Sequence, residues 1–191
     1  IADNPDVPVV QMDSVIGNKS GKVLLTMFSR NTNLLLAFLR DHNTARSVLD
    51  VFNDLYAMFG RETYCRLFPV ILTDRGSEFS NPVPIEQDEN DELRSLVFYC
   101  NPSAPYQKGG IEVAHELVRR VLPKGKSFDD LQQEDIDLML SHINSYKRGK
   151  LNSRSAYQLF NFIYGDDILP KLNIREIETN DIVLSPKLLK K

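Results

Sequence analysis

Three carboxylates stand where their surroundings call for a reason. Asp13 interrupts the β-branched, apolar run VVQMDSVIG, Asp74 directly follows the apolar run VILT in VILTDRGSEF, and Glu112 opens a helical pattern in GGIEVAHELV. A strand interior disfavours Asp on propensity, and a carboxylate buried without a partner is costly. Three such groups in one cleft repel unless a cation neutralises them. A hard divalent ion does this, because Mg²⁺ takes oxygen ligands and keeps waters that substrate phosphate can replace. Two such ions about 4 Å apart clamp the attacking and leaving oxygens of an in-line phosphoryl displacement.

Each acid also has a plainer reading. An Asp after a strand commonly makes an Asx-turn or a cap, which would account for Asp74. A Glu in a first helical turn is favoured by the helix dipole, which would account for Glu112. Asp13 as a satisfied core residue needs donors that VVQM and SVIG scarcely offer. Beside Glu112 on the same helical face lie His115 and Glu116, at i+3 and i+4. Glu116 is the rival for a third ligand, and His115 is a candidate to orient water or phosphate or a solvated face residue. Lys108, Arg119 and Arg120 are candidate phosphate contacts or ordinary surface. Gly109 and Gly110 either admit a close backbone approach to DNA or flex a loop.

The elements that must position these residues can be read from periodicity. Residues 7–16, 22–28 and 33–40 form three strands of a meander, joined by the turn segments GNKSG and SRNT. A helix follows, capped by Asn43 or Thr44, with Val48, Phe52, Leu55 and Phe59 at helical spacing and Gly60 at its end. Strands are expected at 67–73 and 94–100, with an acidic loop or hairpin tip between them. From Gly110 to Leu122, Ile111, Ala114, Leu117, Val118 and Val121 share one helical face, and Pro123 stops the helix. Two more helices are expected near 132–146 and 153–163. The segment 164–191 is a mixed tail ending in PKLLKK. A meander feeding parallel crossovers gives a mixed α/β sheet with helices on its faces.

Composition bounds the setting. Of the 191 residues, 42% are hydrophobic and 26% charged, enough for a real core and a hydrated surface. The apolar stretches, such as NLLLAFL, are too short to span a bilayer, so no membrane partner is expected. The chain opens on Ile with no signal peptide, which reads as a fragment lacking an upstream portion. Cys65 and Cys100 stand alone, and His42, His115 and His142 lack zinc-ligand spacing, which suits a reducing cytoplasm. The net charge of −3 argues by itself against a nucleic-acid partner. The charges are partitioned, however. Acids concentrate at 78–92 and 127–137, and between 141 and 165 the only full charges are Lys147, Arg148, Lys150 and Arg154.

QMDSVIG, LTDRGSEF and NPSAPYQKGGIEVAHE together resemble the three acidic motifs of the DDE transposase and retroviral-integrase superfamily. Within it the likeness is to bacterial transposases of insertion-sequence family thirty. The third motif of that group has Pro and an aromatic, then Gln/Arg-Lys/Arg-Gly before the catalytic Glu; here Pro105, Tyr106, Gln107, Lys108 and Gly109 precede Glu112. VRRVLPKGKSFDDL continues the likeness, which spans about residues 7 to 162. The segment between the second and third motifs is somewhat long. The resemblance implies an RNase H-like mixed five-stranded sheet in a catalytic core at 1–162, with a C-terminal extension at 163–191. It implies Asp13, Asp74 and Glu112 as catalytic residues holding two Mg²⁺ or Mn²⁺ ions. It further implies cleavage and strand transfer at DNA ends, a homo-oligomeric active complex, and an upstream helix-turn-helix region. The alternatives are a nuclease of the same fold that only hydrolyses, and a domesticated, inactive DNA-binding scaffold.

Overall fold

The computed structural model describes residues 7–18, 20–101 and 105–189, without the side chains of Pro105, Tyr106 and Lys150. The first six residues, Lys19 of the first turn, residues 102–104 of the third motif and the last two lysines lie outside it. Five strands form one sheet: β1 (Val9–Ile16), β2 (Val23–Ser29), β3 (Leu35–Arg40), β4 (Val70–Thr73) and β5 (Leu96–Tyr99), in the order β3-β2-β1-β4-β5. The meander β1–β3 is antiparallel, whereas β4 and β5 run parallel to β1. The last two strands are shorter than their apolar runs. Pro69 stays outside β4, where its carbonyl accepts from the Leu96 amide (3.0 Å).

The first crossover is α1 (Ala45–Leu67), opened by a Thr44–Ser47 capping box. Gly60 ends its first segment as expected: at φ 71° and ψ 164° it leaves helical geometry in a conformation that glycine reaches without a Cβ penalty, and after this kink a second helical segment runs to Leu67. Between β4 and β5 lie a single turn at 77–79, the short α2 (Val83–Glu86) and a Gln87–Leu93 bridge around the acidic tip. Then come α3 (Gly109–Val121), α4 (Gln133–Ser145), α5 (Ala156–Tyr164) and α6 (Ile168–Lys171).

Alternation along the central strands sorts the two faces. Val10 and Met27 pack in one core with Phe59 and Leu67 of α1, Phe68 just after it, and Phe160 and Tyr164 of α5. Gln11, Asp13, Thr26 and Phe28 turn to the other face, against α3. At the open side of β3, α4 supplies side-chain amides in place of a sixth strand. Asn144 exchanges two hydrogen bonds with the Leu35 backbone (2.9 and 2.8 Å), and Gln133 accepts from the Leu39 N–H and donates to the Ala37 carbonyl (2.8 and 3.1 Å).

The boundary expected after residue 162 falls inside α5, and Ile168, Leu169, Leu172 and Ile174 beyond it are buried in the same core. Residues 173–183 lie as a strap along α4. Asp137 accepts from Asn173, Ser141 from the Arg175 amide, Ser145 from the Ile177 amide, and His142 Nδ1 from the Val183 amide. Among the described residues no helix is long and apolar enough to cross a membrane.

Candidate active site

The start of α3 is fastened to β1 by a residue absent from the sequence-level candidates. Gln11 is only 2% exposed. Its Oε1 accepts from the Ile111 N–H (2.8 Å) and its Nε2 donates to the Gln107 carbonyl (2.8 Å). The first N–H groups of a helix have no partner within it, and no cap side chain serves the start of α3. The strand supplies one instead. Gly110 permits the approach, since a Cβ there would meet the Phe28 ring at 2.5 Å and Gln11 Oε1 at 2.9 Å. Gln11 was legible as a polar residue in an apolar run, two positions from Asp13 and therefore on its face.

Backbone pairing between β1 and β4 covers only Val9–Gln11 against Val70–Leu72. Beyond it the Thr73 hydroxyl donates to the Met12 carbonyl (3.2 Å), and β4 ends. Asp13 and Asp74 flank the resulting crevice at the carboxyl end of β4, where open α/β sheets receive ligands. Lys108, the residue before α3, reaches between them. Its Nζ lies 3.0 Å from Asp13 Oδ2 and 3.0 Å from Asp74 Oδ2, so the two oxygens lie within twice that distance of each other. The remaining oxygens bind backbone: Asp13 Oδ1 accepts from Ser14 N–H (2.8 Å), and Asp74 Oδ1 from Gly76 N–H (2.9 Å). Asp74 thus forms the Asx-turn its context suggests and still offers an oxygen to the crevice.

Burial alone would depress the Lys108 ammonium, but the charge of Asp13 and its hydrogen bonds to Asp74 and Asp13 outweigh that and hold its pKa above the usual lysine value. Cys100 lies nearby. Burial pushes its thiol up, Lys108 opposes this, and Asp74 and Asp13 reinforce it.

Behind Asp13, the Thr26 hydroxyl donates to the Asp13 carbonyl (2.9 Å) and sits 2.8 Å from His115 Nε2. Burial holds the His115 pKa below the usual histidine value; Asp13 opposes that shift, while Lys108 and Arg119 add to it. With the Thr26 proton given to Asp13, the neutral ring must carry its hydrogen on Nε2 and donate to Thr26. Arg119 Nη2 donates to the Ile16 carbonyl at the end of β1 (2.9 Å). Of the four sequence-level phosphate contacts, Lys108, His115 and Arg119 are therefore engaged within the protein, and Arg120 is exposed.

Glu112 is exposed in the first turn of α3, four residues after Lys108. Among the described residues no three His, Cys, Asp or Glu side chains form a metal-sized cluster. The structure brings Asp13 and Asp74 to one cation and leaves Glu112 outside that contact. The donor chemistry fits a hard ion: two carboxylate oxygens converge on a single positive charge, and their side chains are 26% and 50% exposed.

No protein-family model matches the chain. Over 151 residues, 79% of its length, it is 28% identical to a putative integrase of a Spiroplasma virus, covering 45% of that protein. It is 22% identical over 147 residues, 77% of its length, to the transposase InsI of insertion sequence element IS30A from Escherichia coli strain K12, covering 36% of that protein. The chain therefore spans less than half the length of these relatives. Among solved structures, the catalytic core domain of BIV integrase superimposes with a TM-score of 0.52 at 21% identity, over 82% of this chain and 92% of that one. By sequence the chain is a relative of transposases and integrases, and its RNase H-like fold is that of a retroviral integrase catalytic core.

Proposed function

We propose that the chain is the catalytic core of a DNA transposase, performing metal-dependent cleavage and strand transfer at DNA ends. The observation that carries this reading is the meeting of Asp13 and Asp74, from neighbouring parallel strands, at one positive charge. In this reading Asp13, Asp74 and Glu112 hold two Mg²⁺ or Mn²⁺ ions, which when bound would activate the attacking oxygen and stabilise the leaving one. Asp13 is held on a central strand by the Ser14 amide and, through its carbonyl, by Thr26 and His115. Gln11 fixes the start of α3, the turn that carries Glu112. Lys108, released from the carboxylates, has the charge to pair with a DNA phosphate. The partners are the transposon ends and target DNA in the cytoplasm, with several copies of the chain in the active complex.

The test supplies pre-cut and uncut DNA ends with Mg²⁺ or Mn²⁺ and scores nicked and joined products. Asp13→Asn and Asp74→Asn are expected to abolish both products while leaving the far-UV circular dichroism unchanged. Near wild-type joining by either variant would exclude ligation by that residue. Nicking without joining by the unaltered protein would assign a hydrolytic nuclease instead.

A further inference from the structure

Between Leu138 and Gly165 the chain contains no acidic residue, and Lys147, Arg148, Lys150 and Arg154 all fall in the connection between α4 and α5. In a chain of net charge −3, this concentrates positive charge on one loop. Among the described residues none of Lys147, Arg148 and Arg154 forms an ion pair with a carboxylate. Lys147 and Arg154 are exposed. Arg148 is only partly exposed, and its Nε and Nη2 are buried without a hydrogen-bond partner. Buried N–H groups left unpaired are costly, so this guanidinium gains by turning outward to an acceptor.

The loop also has a built shape. Asn152 and Ser153 take left-handed conformations (φ 51° and 61°), and the Arg148 amide donates to the Arg154 carbonyl (3.3 Å), closing the loop on itself. The Arg154 guanidinium lies over the Phe162 ring, 5.9 Å from its centroid, and Phe162 is 80% exposed. Tyr146, at the base of the loop, is 40% exposed. An exposed aromatic carrying a guanidinium that no carboxylate neutralises suits a surface that meets an anionic polymer. The carboxylate of Glu176, held by Gln158 Nε2 (2.8 Å), borders this surface on α5.

We infer that the α4–α5 connection is a second DNA contact, separate from the carboxylate crevice, in which Lys147, Arg148 and Arg154 hold the phosphate backbone and Phe162 props Arg154. The choice of DNA as the polyanion rests on the transposase reading.

The test is fluorescence anisotropy with a short labelled duplex of arbitrary sequence, in EDTA, across a salt series. Lys147→Ala/Arg154→Ala is compared with Arg46→Ala/Lys171→Ala, which removes the same number of cations elsewhere. The first pair is expected to weaken binding about tenfold at low salt and to flatten the logarithmic salt dependence by about 2, one for each phosphate left without its cation. The control pair is expected to change affinity less than twofold. Phe162→Ala removes no charge, so a weakening of about two- to fivefold marks a built surface rather than bulk charge. Equal weakening by the two pairs, or none by the first, would overturn the inference. Because binding is read without metal, an inactive carboxylate site leaves this result untouched, and failure here leaves the phosphoryl-transfer assay untouched.

Discussion

The ammonium of Lys108 lies 3.0 Å from Asp13, across a crevice that the proposed reaction requires a divalent cation to enter. The same ammonium is 3.0 Å from Asp74, and the residue is 6% exposed. A tethered charge thus stands between the two carboxylates from which a metal would take its oxygens, and the two cations compete. Lys108→Met is expected to lower the stability of the metal-free protein by about 1–2 kcal/mol, less than for a fully buried pair because the carboxylates are partly solvated. The same variant should bind Mn²⁺ about tenfold more tightly, which corresponds to about 1.4 kcal/mol. Mn²⁺ electron paramagnetic resonance and thermal melts check both halves, and unchanged Mn²⁺ affinity would show that the ammonium and the metal do not share a site.

Adjacent glycines at the start of α3 should respond in opposite directions. Gly109 has open space where a Cβ would go, whereas a Cβ on Gly110 would press into Phe28 and Gln11. Gly109→Ala is expected to be neutral or to stabilise by up to about 1 kcal/mol through reduced unfolded-state entropy. Gly110→Ala should destabilise by about 1–3 kcal/mol through overpacking. Urea denaturation of the two variants side by side decides this, and equal effects would refute the close approach.

Gln11→Leu keeps the volume roughly but strands two groups, the Ile111 N–H and the Gln107 carbonyl. Leaving a buried polar group unpaired costs about 1–3 kcal/mol. The expected result is a lower denaturation midpoint together with faster hydrogen exchange confined to the first turn of α3. Uniformly faster exchange across the chain would mean that Gln11 serves general stability rather than the placement of this helix.

His142 gives the strap a pH dependence. Burial lowers its pKa below the usual histidine value, Arg175 adds to this, and Asp181 opposes it. Its Nδ1 accepts from the Val183 amide, so the bond requires the unprotonated nitrogen. The folded value lies below the unfolded one, so this stabilisation is in place above about pH 6.5 and is lost as pH falls through the folded value. The difference in stability between the protein and His142→Gln should shrink on acidification, with a slope of at most about 1.4 kcal/mol per pH unit. A difference independent of pH between 5 and 8 would remove His142 from this role.

Much of the architecture is legible because it rests on local periodicity. The helical face of Ile111, Ala114, Leu117 and Val118 is the buried face of α3, and the meander followed by two parallel strands is the observed sheet. What periodicity does not show is which polar groups satisfy one another across elements. Lys108 reads as a phosphate contact or a surface cation because nothing local places two carboxylates around it. His115 reads as a group that orients water or phosphate or as a solvated face residue, because Thr26 is remote in sequence. Gly60 carries the signal of a helix end and does break the helix; the second segment to Leu67, with Tyr64 and Leu67 buried, is what that local signal does not show. The strap along α4 is hidden for a related reason: three of its four hydrogen bonds use backbone amides, which every residue except proline supplies.

The amides of Gln133 and Asn144 have a consequence for how copies of the chain can associate. An open strand edge is a template on which another chain can add. On the β3 side that template is already taken, four of its backbone groups being held by side chains of the same molecule. A continuous sheet shared between copies through β3 would first have to strip α4 away, exposing the core beneath it. Self-association that leaves the fold intact must therefore use surfaces other than the β3 edge, and that edge is protected from fibrous growth.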